Sequence, residues 1–271
     1  MSTISSFSSV AHCIDVLEGL QSLASGSVAC TVTSPPYNIG IKYNTHNDKR
    51  DDYLQWMENV SGEIKRATMG DGHFFLQMGG TATDPLIPQR VLERALNVGW
   101  ALQNEIIWVK SISIGRDSYG PFKPLNSKRY LNQTHEFIYH LTMTGEVPIN
   151  RLAIGVPFAD KSNIDRFAHE IDLRCRGNSW FIPYETITPA TLKRNNRHPA
   201  IFPVALPEMC IRLSGIPEGS LVVDPFSGSG STLVACEKLG MRGIGFDIDP
   251  AYVEAANARL LGVVSASECE R

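Results

Sequence analysis

Leu221-Val222-Val223-Asp224-Pro225-Phe226-Ser227-Gly228-Ser229-Gly230-Ser231-Thr232 is the stretch on which the fold turns. A short apolar run ends in Asp-Pro, passes through alternating serines and glycines, and opens a helical pattern from Ser231 to Leu239. β-Branched residues suit a buried strand. Glycine lets the backbone take positive φ and approach a ligand closely. Gly243 to Phe246 then forms a second strand ending at Asp247, and a last helix runs from Ala251 to Leu261. Strand, glycine turn, helix and strand, with an acid about 20 residues after the turn, is the pattern of a nucleoside crevice, the acid accepting from a ribose diol.

Working towards the N-terminus, strand and helix signals alternate. Ser27 to Val32 reads as a strand that stops at Ser34-Pro35-Pro36. Asp52 to Met69 carries Tyr53, Leu54, Trp56, Met57, Val60 and Ile64 at helical spacing, with Asp51 or Asp52 placed to cap it. His73 to Met78 is a buried strand, Pro88 to Asn97 a helix with Gly99 past its end, and Leu102 to Val109 and Glu136 to Leu141 are strands. Lys110 to Arg129 is rich in Gly, Pro, Ser and Asn, and Thr142 to Arg197 is irregular; regular signals return at Pro199. Alternating β and α units predict an α/β fold, Rossmann-like, with a doubly wound, mostly parallel sheet.

Composition narrows the partners. The 271 residues carry a formal net charge of −3, which excludes a strongly basic coat, so any nucleic-acid contact rests on a local patch. Cys13, Cys30, Cys175, Cys210, Cys236 and Cys269 form no C-x-x-C pair and no zinc-ligand spacing with histidine, so no metal is expected. Scattered cysteines of this kind are expected as reduced thiols of a cytoplasmic protein. No run of about 18 apolar residues is present, so no membrane span is expected.

Two blocks carry chemistry. A carboxylate at Asp224 would repel a pyrophosphate. It suits a cationic ligand such as S-adenosylmethionine, with Asp224 near the amino group. The second block is Thr33-Ser34-Pro35-Pro36-Tyr37-Asn38 at a strand end. The prolines fix the backbone and remove N–H donors. Ser34 adds a hydroxyl acceptor and Tyr37 a flat face, which is what the exocyclic amino group of a flipped base needs: acceptors for its protons and a surface to stack on.

Together the blocks resemble the β class of DNA amino-methyltransferases, in which a catalytic [DSN]-P-P-[YFW] block precedes the target-recognition region and the cofactor block comes last. Trp108-Val109-Lys110, Thr134-His135-Glu136, Trp180-Phe181-Ile182-Pro183, His198-Pro199-Ala200-Ile201-Phe202-Pro203 and Leu206-Pro207-Glu208 add to the similarity, which covers about residues 8 to 262. The resemblance implies one methyltransferase domain over 1–271, with a catalytic half at about 8–110, a target-recognition insert at about 111–197 and a cofactor half at about 198–262. It also implies one antiparallel strand near an edge of the sheet.

The resemblance also implies roles. Ser34, Pro35, Pro36 and Tyr37 would form the catalytic block. Asp224, Phe226, Gly228, Gly230, Thr232, Asp247, Ile248 and Phe202 would hold S-adenosylmethionine. Lys110, Arg116, Lys123, Lys128, Arg129, Lys193, Arg194 and Arg197 would contact double-stranded DNA. A homodimer and a cognate restriction endonuclease are compatible partners. Serine at the head of the catalytic block favours N4 of cytosine, with N6 of adenine the alternative. The chain departs from the family at Ala11-His12, where a Gly-Asp pair whose acid meets the cofactor adenine is usual. Glu58-Asn59-Val60 is similar to a signature of cytosine C5 enzymes, but it lies on a predicted helix and no Pro-Cys nucleophile occurs.

Rival functions leave residues unexplained. Ribosomal-RNA and protein-glutamine methyltransferases with N-P-P-Y carry their cofactor block first. A nicotinamide dehydrogenase would leave Ser34 to Tyr37 without a role. A non-catalytic DNA-binding module would need neither block intact.

Overall fold

The computed structural model describes residues 9–41, 47–122, 125–166, 170–184 and 202–269. Its eight-stranded sheet runs in the order β1 (Val10–Cys13), β10 (Arg242–Asp247), β9 (Leu221–Asp224), β2 (Val28–Thr33), β3 (Thr68–Met78), β7 (His135–Thr142), β4 (Ala101–Val109) and β8 (Ser179–Phe181). Every pairing is parallel except those of β7, which runs against both β3 and β4. The fold is therefore α/β with a mostly parallel sheet and one antiparallel strand, as the sequence implies; that strand lies third from the β8 edge.

Helices cover both faces because β3 alternates. Phe74, Leu76 and Met78 pack into one cluster with Val16, Met57, Ile64 and Val91, from α1 (Val16–Gln21), α2 (Tyr53–Ala67) and α3 (Ile87–Asn97). Phe75 turns to the other face, where Val32, Ile138 and Val222 meet Leu206, Cys210 and Ile211 of α5 (Ala205–Ser214) and Ala235 and Cys236 of α6 (Ser231–Lys238). A period of two along a strand against helical periods above and below makes both faces apolar. β2, between the two halves, is buried along its whole length. The long α7 (Pro250–Cys269) sets Val253, Ala256 and Leu260 against Ala11 and Leu233, closing the β1 edge.

Several local expectations shift. Asp52 precedes α2 but makes no side-chain cap, because its carboxylate pairs with Arg50 at 3.0 Å. The segment from Lys110 to Arg129 holds a hairpin, β5 (Ile112–Ile114) and β6 (Asp117–Tyr119), joined at Gly115-Arg116 with Gly115 at φ 61°. A two-residue hairpin loop needs positive φ, and glycine supplies it without strain. The stretch 111–197, expected as an insert, contributes β7 and β8 to the main sheet, along with the short α4 (Ser162–Arg166). Among the described residues no helix is long and apolar enough to cross a membrane. No group of three or more His, Cys, Asp or Glu there is placed to hold a metal ion.

Candidate active site

β2 and β9 are adjacent and parallel, with Thr31 opposite Val223. The Ser34 and Gly228 turns therefore leave the same end of the sheet side by side, where open α/β sheets form ligand crevices. Asp224 joins them. It is fully buried; its Oδ1 accepts from Thr33 Oγ1 at 2.6 Å and from the Phe226 amide at 3.1 Å, and its Oδ2 accepts from Thr232 Oγ1 at 2.6 Å. Burial raises its carboxyl from the ordinary 3.8 to about 6, against the lowering effect of these hydrogen bonds. Asp224 and Thr232, expected to face a cationic ligand, are instead closed off from the crevice, and they bolt the two turns together.

The remaining cofactor-side residues line the neighbouring ground. Gly230 has φ 80°, and a Cβ there would lie 2.9 Å from Ala256 Cβ, so only glycine lets the turn sit on α7. Asp247, at the end of β10, accepts from the Gly228 amide at 3.0 Å and the Asp249 amide at 2.8 Å. A carboxylate offers about four lone-pair directions, enough to take hydroxyl donors besides amides. Asp249 adds a buried oxygen, Oδ2, without a hydrogen-bond partner among the described residues. Ile248 beside it is exposed. Phe226 is half-buried, edge-on to Trp56 at 5.5 Å. The Phe202 carbonyl accepts from Ser231 Oγ at 2.9 Å, tying that segment to the start of α6. His12 and Cys13 lie in β1 opposite Phe246 and Asp247, so the exposed His12 stands next to this end of the crevice. Acceptor-rich edges, half-covered aromatic rings and a turn that excludes side chains fit an adenosine bearing a cationic sulfur.

On the other side, strand periodicity places Ser34 two residues past Val32, Gln77 two past Phe75 and Glu136 two before Ile138, all on one face. They meet at Tyr37. Its Oη lies 3.2 Å from Ser34 Oγ, 3.0 Å from Gln77 Oε1 and 3.0 Å from Glu136 Oε2. Gln77 Nε2 donates to Glu136 Oε2, and Lys110 Nζ donates to Glu136 Oε1 at 2.6 Å. Burial, then the facing Glu136 charge, pushes the Tyr37 phenol well above its ordinary value. The Pro36 carbonyl is occupied by Tyr53 Oη at 2.6 Å, so of the two proline carbonyls it is that of Pro35 that is left for a ligand. The loop beyond is built around buried Asp48, whose carboxylate accepts from the amides of Ile39, Gly40 and Ile41. Gln77 and Glu136 are site residues that sequence reasoning missed; Glu136 stood only in the Thr134-His135-Glu136 block, with nothing local to mark it.

The expected basic patch divides. Lys110 is spent on Glu136 inside the site and is only 16% exposed, so it is not a surface cation. Arg116 is exposed at the hairpin tip, and Lys128 and Arg129 are exposed in the segment before β7, Arg129 stacking over Tyr130 at 4.9 Å. Lys123, Lys193, Arg194 and Arg197 lie outside the described residues, as do His198 to Ile201. β4 is parallel to β2 and β9 through the sheet, so its C-terminal hairpin rises from the same end as the crevice.

Residues 28–258 match the profile of the N6/N4 DNA methylase family. The Type II methyltransferase M.SmaI of Serratia marcescens is 25% identical over 289 residues, covering 91% of this chain and 89% of that protein. The structure of the cytosine-N4-specific PvuII DNA methyltransferase superposes with a TM-score of 0.69 at 21% identity, covering 94% of this chain and 90% of that one. A DNA modification methylase from Thermus thermophilus in complex with S-adenosyl-L-methionine superposes with a TM-score of 0.64 at 24% identity, covering 94% of each chain.

Proposed function

From the premise that the chain belongs to the N6/N4 DNA methylase family, we propose that it methylates the exocyclic amino nitrogen of a flipped base in double-stranded DNA, N4 of cytosine, with S-adenosylmethionine as donor. One observation carries this: an acceptor-rich block, Ser34-Pro35, and a glycine turn next to Asp247 stand at adjacent strand ends and are locked together through Asp224.

Asp247 would take the ribose diol, the Gly228 and Gly230 turn would admit the nucleoside, and Phe226, Ile248 and Phe202 would line it. When bound there, S-adenosylmethionine supplies an electrophilic methyl group on a positively charged sulfur, which leaves as a neutral thioether. The protein's own task is to make a poor nucleophile attack. The lone pair of an aromatic amino group is delocalised into its ring. Accepting its two protons at the Ser34 hydroxyl and the Pro35 carbonyl favours a tetrahedral nitrogen and returns the lone pair to it. Fixed acceptors aimed at the developing positive charge are electrostatic preorganisation, and holding the nitrogen against the methyl carbon removes the entropy of encounter. Tyr37 stacks on the base. The surplus amino proton passes to solvent, because an alcohol is too weak a base to keep it.

DNA contact falls to the hairpin side. Arg116, Lys128 and Arg129 stand among exposed Ile114, Tyr119, Phe122 and Leu131, and cations with apolar side chains suit phosphates flanking a disturbed base stack. Lys123, Lys193, Arg194 and Arg197 are proposed as further phosphate contacts. Digestion of DNA methylated in vitro to nucleosides, followed by mass spectrometry, tests the assignment. N4-methylcytosine is expected; N6-methyladenine as the sole product would move the target base and leave the rest standing. Methylation confined to RNA or to protein glutamine would overturn the DNA substrate.

A further inference from the structure

We infer that Glu136, held by Lys110, is a positioning residue that fixes the direction of the hydrogen-bond chain Glu136–Gln77–Tyr37–Ser34, so that Ser34 can present only acceptor lone pairs to the base.

The inference deepens the proposed function and rests on it. A serine hydroxyl is both donor and acceptor, so by itself it serves an amino group in only one of its two roles. Around Ser34 the ambiguity is removed step by step. Lys110 Nζ, 2.6 Å from Glu136 Oε1, keeps the carboxylate ionised and therefore acceptor-only. Glu136 Oε2 must then face the amino end of the Gln77 amide, which turns Gln77 Oε1 towards Tyr37. Tyr37 Oη has one proton and two acceptors 3.0 Å away, Gln77 Oε1 and Glu136 Oε2. Its proton is committed to one of them. The remaining contact of Tyr37, at 3.2 Å, must therefore be a bond donated by Ser34 Oγ. With its proton parked on Tyr37, Ser34 offers lone pairs alone. A neutral hydroxyl thus does the accepting that a carboxylate at the head of the block would do, with the charge held farther back. Gly79 belongs to the same device: a Cβ there would lie 2.7 Å from Glu136 Cδ.

Two measurements test this. In steady-state methylation of duplex DNA, Glu136→Gln replaces an acceptor-only group by one that can also donate, so the chain can reverse. It is expected to lower kcat by about tenfold to a hundredfold, the scale of one misdirected preorganised group, while KM for DNA and the affinity for S-adenosylmethionine stay within about twofold. Gly79→Ala, which displaces the carboxylate without changing its chemistry, is expected to show the same split. In a Tyr37→Phe background, which cuts the chain, Glu136→Gln should cost nothing further. Unchanged kcat in both variants, or a loss that repeats in full in the Tyr37→Phe background, overturns the proposal while leaving the wild-type DNA product, and so the proposed function, intact. Neutron diffraction from deuterated protein reads the chain without substrate. A Ser34 deuteron directed at Tyr37 Oη is expected, and a Tyr37 deuteron directed at Ser34 Oγ overturns the inference whatever the enzyme methylates.

Discussion

Replacing Asp224 by asparagine keeps the shape of the bolt between the two turns and removes its charge. The wild-type carboxyl is fully buried and titrates near 6 instead of 3.8, because burial outweighs the bonds from Thr232, Thr33 and the Phe226 amide. A folded-state pKa above the unfolded value means that the native protein binds the proton more tightly. The stability this contributes is fully present below 3.8 and is lost as pH rises through about 6. Asparagine has no such dependence. Between pH 8 and pH 5 the wild type should therefore gain about 1 kcal/mol over Asp224→Asn, set by the part of the shifted range crossed at about 1.4 kcal/mol per pH unit. Urea unfolding followed by circular dichroism at the two pH values gives the double difference, in which every other titrating group cancels. If acidification instead stabilised the variant relative to the wild type, the carboxylate would be held ionised, and burial would not be the dominant effect. Asp224→Ala should be worse at either pH, by about 3 kcal/mol, because it strands the Thr33 hydroxyl and removes bonds made to a charge.

Three further outcomes are expected. His73 and His140 are buried, 3.0 Å apart, with their pKa values lowered by burial to about 4 and about 3. The unfolded chain then binds protons that the native state refuses, so stability should fall by about 2–4 kcal/mol between pH 7 and pH 5, and His140→Phe, stacked on Phe75, should reduce that loss in urea titrations. Asp247→Ala should weaken S-adenosylmethionine by about 1–3 kcal/mol in calorimetry, through an unpaired diol; unchanged affinity would remove Asp247 from the cofactor site. Neutralising Arg116, Lys128 and Arg129 together should weaken DNA binding and flatten its salt dependence by about 0.9 in the log–log slope for each phosphate no longer neutralised; a wild-type slope by fluorescence anisotropy would move DNA contact off the hairpin side.

Much of this was legible because the decisive features are local. The 224–232 turn, the Ser34-Pro35-Pro36-Tyr37 block and Asp247 are written in consecutive residues, and strand alternation with helical spacing located β2, α2, α3, β4, β7, β9 and β10 to within a residue or two. The network around Tyr37 was not legible. Gln77, Lys110 and Glu136 come from three different strands or strand ends, and only pairing of β3 with β7 and of β7 with β4 brings them together. For the same reason Lys110 looked like one more surface cation in a basic run, whereas its charge is answered by a residue 26 positions away. Asp224 was read through its charge alone; that both its oxygens would be filled by Thr33 and Thr232 depends on β2 lying against β9. The hairpin at Ile112–Tyr119 did leave a signal, the Gly115-Arg116 loop, which composition alone made look like irregular chain.

The central claim is transfer of a methyl group from S-adenosylmethionine to a base amino nitrogen that Ser34 prepares. It is tested most directly by incubating the protein with duplex DNA and a deuterated-methyl donor, then weighing the nucleosides from the wild type and from Ser34→Ala side by side. The heavy methyl group should appear on cytosine N4 with the wild type and fall by at least about a hundredfold with Ser34→Ala, while both proteins bind the donor equally. A wild type that binds the donor yet leaves DNA unlabelled, or a Ser34→Ala variant that labels it at the full rate, would contradict that claim.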